Sequence, residues 1–217
     1  MAWDMRRGTI PGVAKVFVNG DYRGSMVSPN TYKLRLIAGN DTSQTTAELI
    51  ADPRLTATAA DFAAQQEVLF KAEDAVREMH NAVNMLRKVK SQIEALSGVW
   101  KDQPDMKPLI ESGKSIVEKI GKWENNIIST KQETFQDVIN FPNRLNAEML
   151  DLRGRAQMHD PRPTKGVQAR LSELLKEWDT HKASMKQLVE KDIADFNSQY
   201  KNKQVPVLSL PSSGTGN

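Results

Sequence analysis

The stretch TAADFAAQQEVLFKAEDAVREMHNAVNMLRKVKSQIEAL, residues 58–96, decides the fold. Phe62, Leu69, Val76 and Val83 stand seven apart, and Ala72, Met79, Leu86 and Ile93 repeat that interval as a second seam. Val68, Ala75, Ala82, Val89 and Leu96 form a third apolar row beside the first. Three rows make a face wider than a two-stranded coiled-coil seam, so this helix is expected to pack against at least two others. Thr58 and Asp61 have the spacing of an N-cap hydroxyl with an acidic residue at N3, a near match to a capping box. Ser97-Gly98 is the expected stop.

Working outward, the loop that follows holds Pro104 and Pro108. A second helix is striped by Leu109, Ile116, Ile120, Trp123 and Ile127. Gly113 and Gly121 lie inside it and weaken it by about 1 kcal/mol each relative to alanine. A shorter helix covers roughly Pro142 to Met158, with Pro142 near N1 and Leu145, Met149, Leu152 and Ala156 at helical spacing. Asp160-Pro161-Arg162-Pro163 forces a loop. The last helix, about Thr164 to Lys201, stripes Leu171, Leu174, Leu175, Trp178, Met185, Leu188 and Phe196. The predicted fold is mainly α: an antiparallel bundle of three long helices, the middle one broken near residues 130–142 to give four in all.

A small β unit precedes the bundle. Val13 to Val18 is rich in branched side chains and Asn19-Gly20 is a turn signal. Tyr32, Leu34 and Leu36 alternate with Lys33 and Arg35, the periodicity of a strand with one face buried. Gly39-Asn40-Asp41 reads as the next turn, Thr45 to Ile50 as the next strand, and Asp52-Pro53 as its end. Three or four such strands would expose apolar surface and open edges unless something covers them. The domains are therefore read as 1–54, a partial β unit; 55–204, the helical bundle; and 205–217, a polar tail predicted to be disordered.

Composition excludes more than it assigns. The 217 residues carry 30 basic and 27 acidic side chains, with no segment that forms a basic arm, so a nucleic-acid partner is not expected. With no cysteine, disulfides, thiolate nucleophiles and Cys-based zinc sites are all excluded. The apolar runs are too short to span a bilayer, so membrane insertion is not expected. Met1 precedes Ala-Trp-Asp rather than a signal region, so an export signal would have to lie on a longer precursor.

No residues assemble a recognisable catalytic, cofactor or metal site. His181 falls on the apolar stripe near Trp178 and Met185 and reads as a buried core histidine, and His80 as a flank residue. With His159 they include no His-x-x-x-His or Glu-x-x-His pair. Glu173, Glu177 and Asp179 read as a solvated face; Asp192, in line with Met185 and Phe196, reads as partly buried beside a lysine or histidine. Gly113-Lys114-Ser115 has the ending of a P-loop, but Pro108 stands where the upstream glycine is required and no strand precedes it. Of the tryptophans at 3, 100, 123 and 178, the last three are expected in core packing rather than stacked on sugars.

Three motifs in order resemble one family. Trp3-Asp4-Met5-Arg6 resembles the Trp-Asp-Leu-Arg strand of an immunoglobulin-like or fibronectin-like sandwich. Pro29-Asn30-Thr31-Tyr32-Lys33-Leu34-Arg35-Leu36 is similar to that unit's Pro-Gly-Thr-Tyr-x-Val-x-Leu strand, with Asn30 in place of the usual glycine. Asp52-Pro53-Arg54, then Phe141-Pro142-Asn143-Arg144-Leu145-Asn146 and Asp195-Phe196-Asn197, resemble the C-terminal region of secreted, sortilin-like BNR-repeat β-propeller proteins, often labelled glycosyl hydrolases. The resemblance implies a partial immunoglobulin-like β unit and an extracellular or periplasmic location. It also implies that any hydrolytic centre belongs to the propeller, and no catalytic residue carries over. The chain would start partway through the sandwich, leaving it completed by another chain or with exposed edges.

Three readings follow. The first is a non-catalytic C-terminal accessory module that scaffolds or docks the propeller of a larger exported protein. The second is a stand-alone module that uses the open sheet edge to pair with a second copy of itself. The third is a glycoside hydrolase acting through helical carboxylates, which needs two carboxyls about 5–10 Å apart across a cleft.

Overall fold

A computed structural model describes residues 3–17, 22–158 and 160–203. The predicted turn at Asn19-Gly20, His159 and the tail 205–217 lie outside them. The chain is mainly helical with one small antiparallel sheet, as expected. Among the described residues, β1 (Asn30–Ala38) and β2 (Asp41–Leu49) precede α1 (Ala59–Trp100), α2 (Lys107–Ile127), α3 (Leu145–Met158), α4 (Lys165–Gln187) and α5 (Ala194–Asn202). A π-helical turn, Leu188–Ile193, joins α4 to α5, so the predicted last helix is one rod with a wide turn in it. Two compact units result, residues 1–81 with 128–178 and residues 82–127 with 179–217.

Thr58 caps α1 as its spacing requires. The Asp61 amide donates to Thr58 Oγ1 at 3.2 Å, and Asp61 Oδ2 accepts from the Thr58 amide and hydroxyl, both at 2.8 Å. The Thr58 backbone bond, then the hydroxyl bond, hold the Asp61 carboxyl below its ordinary pKa. α1 does not stop at Ser97-Gly98 but continues to Trp100. Gly98 takes no left-handed φ, and the Trp100 indole is buried, stacked on Tyr200 with centroids 5.7 Å apart. Burying that ring outweighs a glycine signal.

In the second unit, the C-terminal half of α1 buries Val83, Leu86 and Ile93, and α2 buries Leu109, Ile116, Ile120, Trp123 and Ile127, the expected stripe. Trp123 Nε1 donates to the His181 carbonyl at 2.9 Å, and Arg87 Nη2 meets Glu124 Oε1 at 2.6 Å. Gly113 is there for contact rather than flexibility. A Cβ on it would fall 2.7 Å from Ile93 Cγ2 and 3.3 Å from Phe196 Cε2.

In the first unit, α1 buries Val68, Leu69, Ala72, Ala75, Val76 and Met79, α3 buries Leu145, Met149, Leu150 and Leu152, and α4 buries Leu171, Leu174 and Trp178. α3 starts at Leu145, three residues past the expected Pro142. The buried Gln132 side chain donates to the Phe141 carbonyl at 2.6 Å and to Asn143 Oδ1 at 3.3 Å, which holds these residues as loop. Two further strand expectations fail. Residues 13–17 are not a strand: Lys15 sits at φ +56° in a turn. Trp3–Arg6 is not one either, since Met5 takes φ +58° and only a lone bridge, Arg6 to Met26, forms.

Gly113→Ala is expected to destabilise the protein by about 1–3 kcal/mol through overpacking. Gly121→Ala, with nothing within 4 Å of the added methyl, should stabilise it by about 0.4–1 kcal/mol. Urea unfolding of the two variants reads both signs.

Candidate functional site

Most of the chemically suggestive residues are structural. Gly113-Lys114-Ser115 lies inside α2, where no loop exists to cradle a phosphate. Trp100, Trp123 and Trp178 are buried as expected, the last donating from Nε1 to Glu78 Oε2 at 2.8 Å. Glu173, Glu177 and Asp179 are exposed, with Glu173 bonded to Arg170 and Asp179 to Lys182. Asp192 is partly buried and pairs with Lys119. Among the described residues, no three His, Cys, Asp or Glu side chains group as metal ligands, and no helix is long and apolar enough to cross a membrane.

The histidine expectations reverse. His181 is half-exposed, whereas His80 is wholly buried. Asn146 Nδ2 lies 3.2 Å from His80 Nε2 and donates to it, so Nδ1 carries the proton and donates to the Pro11 carbonyl at 2.7 Å. Tyr22 stands edge-on to the imidazole, centroids 5.5 Å apart. Burial pushes the His80 pKa below its ordinary value, partly opposed by the Pro11 bond, and burial pushes the Tyr22 phenol up. His80 belongs to a polar clamp. Glu73, also fully buried, accepts from the Ser25 amide at 2.7 Å and pairs with Arg77 at 3.0 Å and Arg7 at 3.6 Å. Arg77 also donates to the Gly8 and Thr9 carbonyls, and Arg153 to that of Arg23. Most of these groups hold the N-terminal segment, while the buried Tyr22 hydroxyl and Ser25 Oγ find no hydrogen-bond partner among the described residues.

The hairpin is the feature left unfinished. Gly39, at φ +62°, occupies the first position of the two-residue turn Gly39-Asn40, so β2 starts at Asp41, earlier than expected. The register runs from Asn30 opposite Leu49 to Ala38 opposite Asp41. Side chains at paired positions share a face, which puts Tyr32, Leu34, Leu36, Ala47 and Leu49 on one side. That side was expected to be buried. Instead Leu34 is 38% and Leu36 67% exposed, and only Tyr32, Ala47 and Leu49 are partly covered. Trp3 meets Tyr32 edge-on at 5.1 Å and shields the base of the face, while Tyr32 Oη donates to the Ser28 carbonyl at 2.6 Å. Both outer edges are unpaired among the described residues.

A pocket of about 170 Å³ opens at the foot of the hairpin. Pro29 and Leu55, which flank the strands, wall it together with Val27, Phe62, Leu69 and Pro161. Its glutamines are committed to the fold: Gln65 donates to the Ala156 carbonyl and Gln66 to that of Met26, while Gln157 accepts from the Met26 amide. Its lining carries no charge, so it suits an apolar side chain rather than a reacting group. Sequence reading had no signal for it, because its walls come from segments far apart in the chain. No family model, curated protein or solved structure matches this chain.

The His80 environment sets a pH dependence. A histidine whose folded pKa is depressed stabilises fully above its unfolded value, about 6.5, and loses that contribution as pH falls below it toward the folded value. Urea unfolding across this range should show wild type losing stability relative to His80→Gln as pH drops. Parallel curves for the two would contradict the assignment.

Proposed function

We propose that this chain is a non-catalytic accessory module: a helical scaffold whose partial β unit docks into a larger exported protein of the sortilin-like, BNR-repeat β-propeller type. The observation that carries this reading is the uncovered apolar face of the hairpin, Leu34 and Leu36 above all. Exposed apolar residues aligned on one face of a hairpin lack a second layer, and a sheet from another body supplies one. The pocket at the hairpin's foot adds a socket for one side chain of that body. The likeness of the Trp3–Arg6 and Pro29–Leu36 sequences to an immunoglobulin-like unit, and of Asp52–Arg54, Phe141–Asn146 and Asp195–Asn197 to the C-terminal region of such proteins, supports the propeller protein as the partner, and with it an extracellular or periplasmic location. A second copy of the chain is the alternative partner, favoured by the bare backbone edge of β2. Glycoside hydrolysis by the helical carboxylates is disfavoured, since those on α4 sit exposed on a solvated face.

The test starts from the coding sequence upstream of Trp3, expected to hold a long in-frame run with repeated Asp-box turns. Expressed separately, that upstream part should co-purify with this chain. Leu34→Ser with Leu36→Ser should abolish co-purification while changing helical stability by no more than about 0.5 kcal/mol, as surface substitutions do. An upstream region without propeller repeats, or turnover of an aryl glycoside by this chain alone, would overturn the reading.

A further inference from the structure

We infer that the outer edge of β2, rather than that of β1, is a pairing site for the β2 strand of a second copy of this chain. The inference rests on the hairpin being the interaction surface and adds which edge, which partner and which register.

The backbone geometry comes first. Ala38 and Asp41 flank a two-residue turn and are paired, which makes them mutually hydrogen-bonded. Bonded and non-bonded pairs alternate along an antiparallel ladder, so Thr42, Gln44, Thr46 and Glu48 direct their backbone N–H and C=O away from β1. On β1 the corresponding outward residues are Thr31, Lys33, Arg35 and Ile37. Both edges thus offer a row of outward donors and acceptors, although on β1 the Thr31 amide already donates to Asn30 Oδ1 at 2.8 Å.

Charge separates the two edges. Antiparallel self-pairing of β1 about its middle would set Lys33 opposite Arg35 on both sides of the dyad, and like charges directly opposed are destabilising. β2 has no such conflict. Between Asp41 and Glu48 lie Thr42, Ser43, Gln44, Thr45, Thr46 and Ala47, all uncharged and none a proline. Lysine, proline and bulges are the usual guards of an edge strand, and β2 has none of them. Its threonines favour extended structure.

Register follows from the same alternation. A two-fold axis through Thr45 overlaps the whole of β2 with its copy. It pairs Gln44 with Thr46 and Thr42 with Glu48, each an outward-facing residue against another, as the ladder demands. Asp41 then faces Leu49 and no like charges meet. Because the axis stands perpendicular to the sheet, the Leu34 and Leu36 faces of both hairpins join on one side of a four-stranded sheet. A contact limited to one strand pair is small, so the dimer should be dilution-sensitive.

Sedimentation velocity of the full chain over a dilution series tests this. Wild type should shift from monomer to dimer as concentration rises. Thr46→Pro removes an outward N–H without touching the β1–β2 ladder and should abolish the shift. Thr46→Lys, an edge guard that cannot disturb backbone geometry, should weaken it at least tenfold. Lys33→Pro, the matching change on β1, should leave it intact. Helical circular dichroism confirms that each variant folds. A dimer lost in Lys33→Pro but kept in Thr46→Pro overturns the choice of edge, and a dimer indifferent to both overturns the pairing. Wild type that stays monomeric overturns the self-association alone, leaving the accessory-module reading to its own co-purification test.

Discussion

Buried backbone must find hydrogen bonds, and in the first unit much of the structure answers that demand. Residues 3–17 and 22–29 form almost no regular structure, so most of their peptide groups lack ladder partners. A few pair across the segment, Arg7 with Ser25, Ile10 with Tyr22 and Val27 with Met5. Side chains of α1 and α3 satisfy others: Gln66, Glu73, Arg77, His80, Arg153 and Gln157 each bond a main-chain group there. This explains a fully buried carboxylate and imidazole on a helix whose neighbouring positions are apolar. Removing the Glu73 side chain would leave the buried Ser25 amide unsatisfied, which costs more than the bond itself contributes.

The helical part was legible because period and burial agree. Every position of the two inner α1 seams from Leu69 to Ile93 is buried, and the α2 stripe is buried throughout. What escaped was tertiary in origin. His80 looked like a flank residue because its partners, Pro11, Tyr22 and Asn146, lie far away in sequence. The end of α1 was misread because Trp100 gains a ring partner in Tyr200, a contact no local signal announces. Branched residues at 13–17 suggested a strand, yet Lys15 in the left-handed region and the buried Val13 belong to an irregular turn.

The hairpin inverts the usual relation between pattern and environment. Its alternation is that of a half-buried strand, and the alternation is real, yet the burial is missing. Leu34 and Leu36 stay exposed despite it, so pattern alone does not decide environment here. The candidate surface was therefore legible in kind, from Tyr32, Leu34 and Leu36, while the pocket beneath it was not, since Leu55, Phe62 and Pro161 converge only through the fold.

The π-helical turn at Leu188–Ile193 has a consequence for how the last rod tolerates change. On an ideal α-helix, eight residues would leave Phe196 about 80° around the axis from Leu188. A wider turn winds less per residue and recovers most of that angle, and both side chains are buried. The surplus residue acts as a phase shim. Straightening the turn into regular α-helix with every residue kept would rotate the Phe196 ring out of the niche that Gly113 keeps open, so local perfection and global fit are opposed at this point.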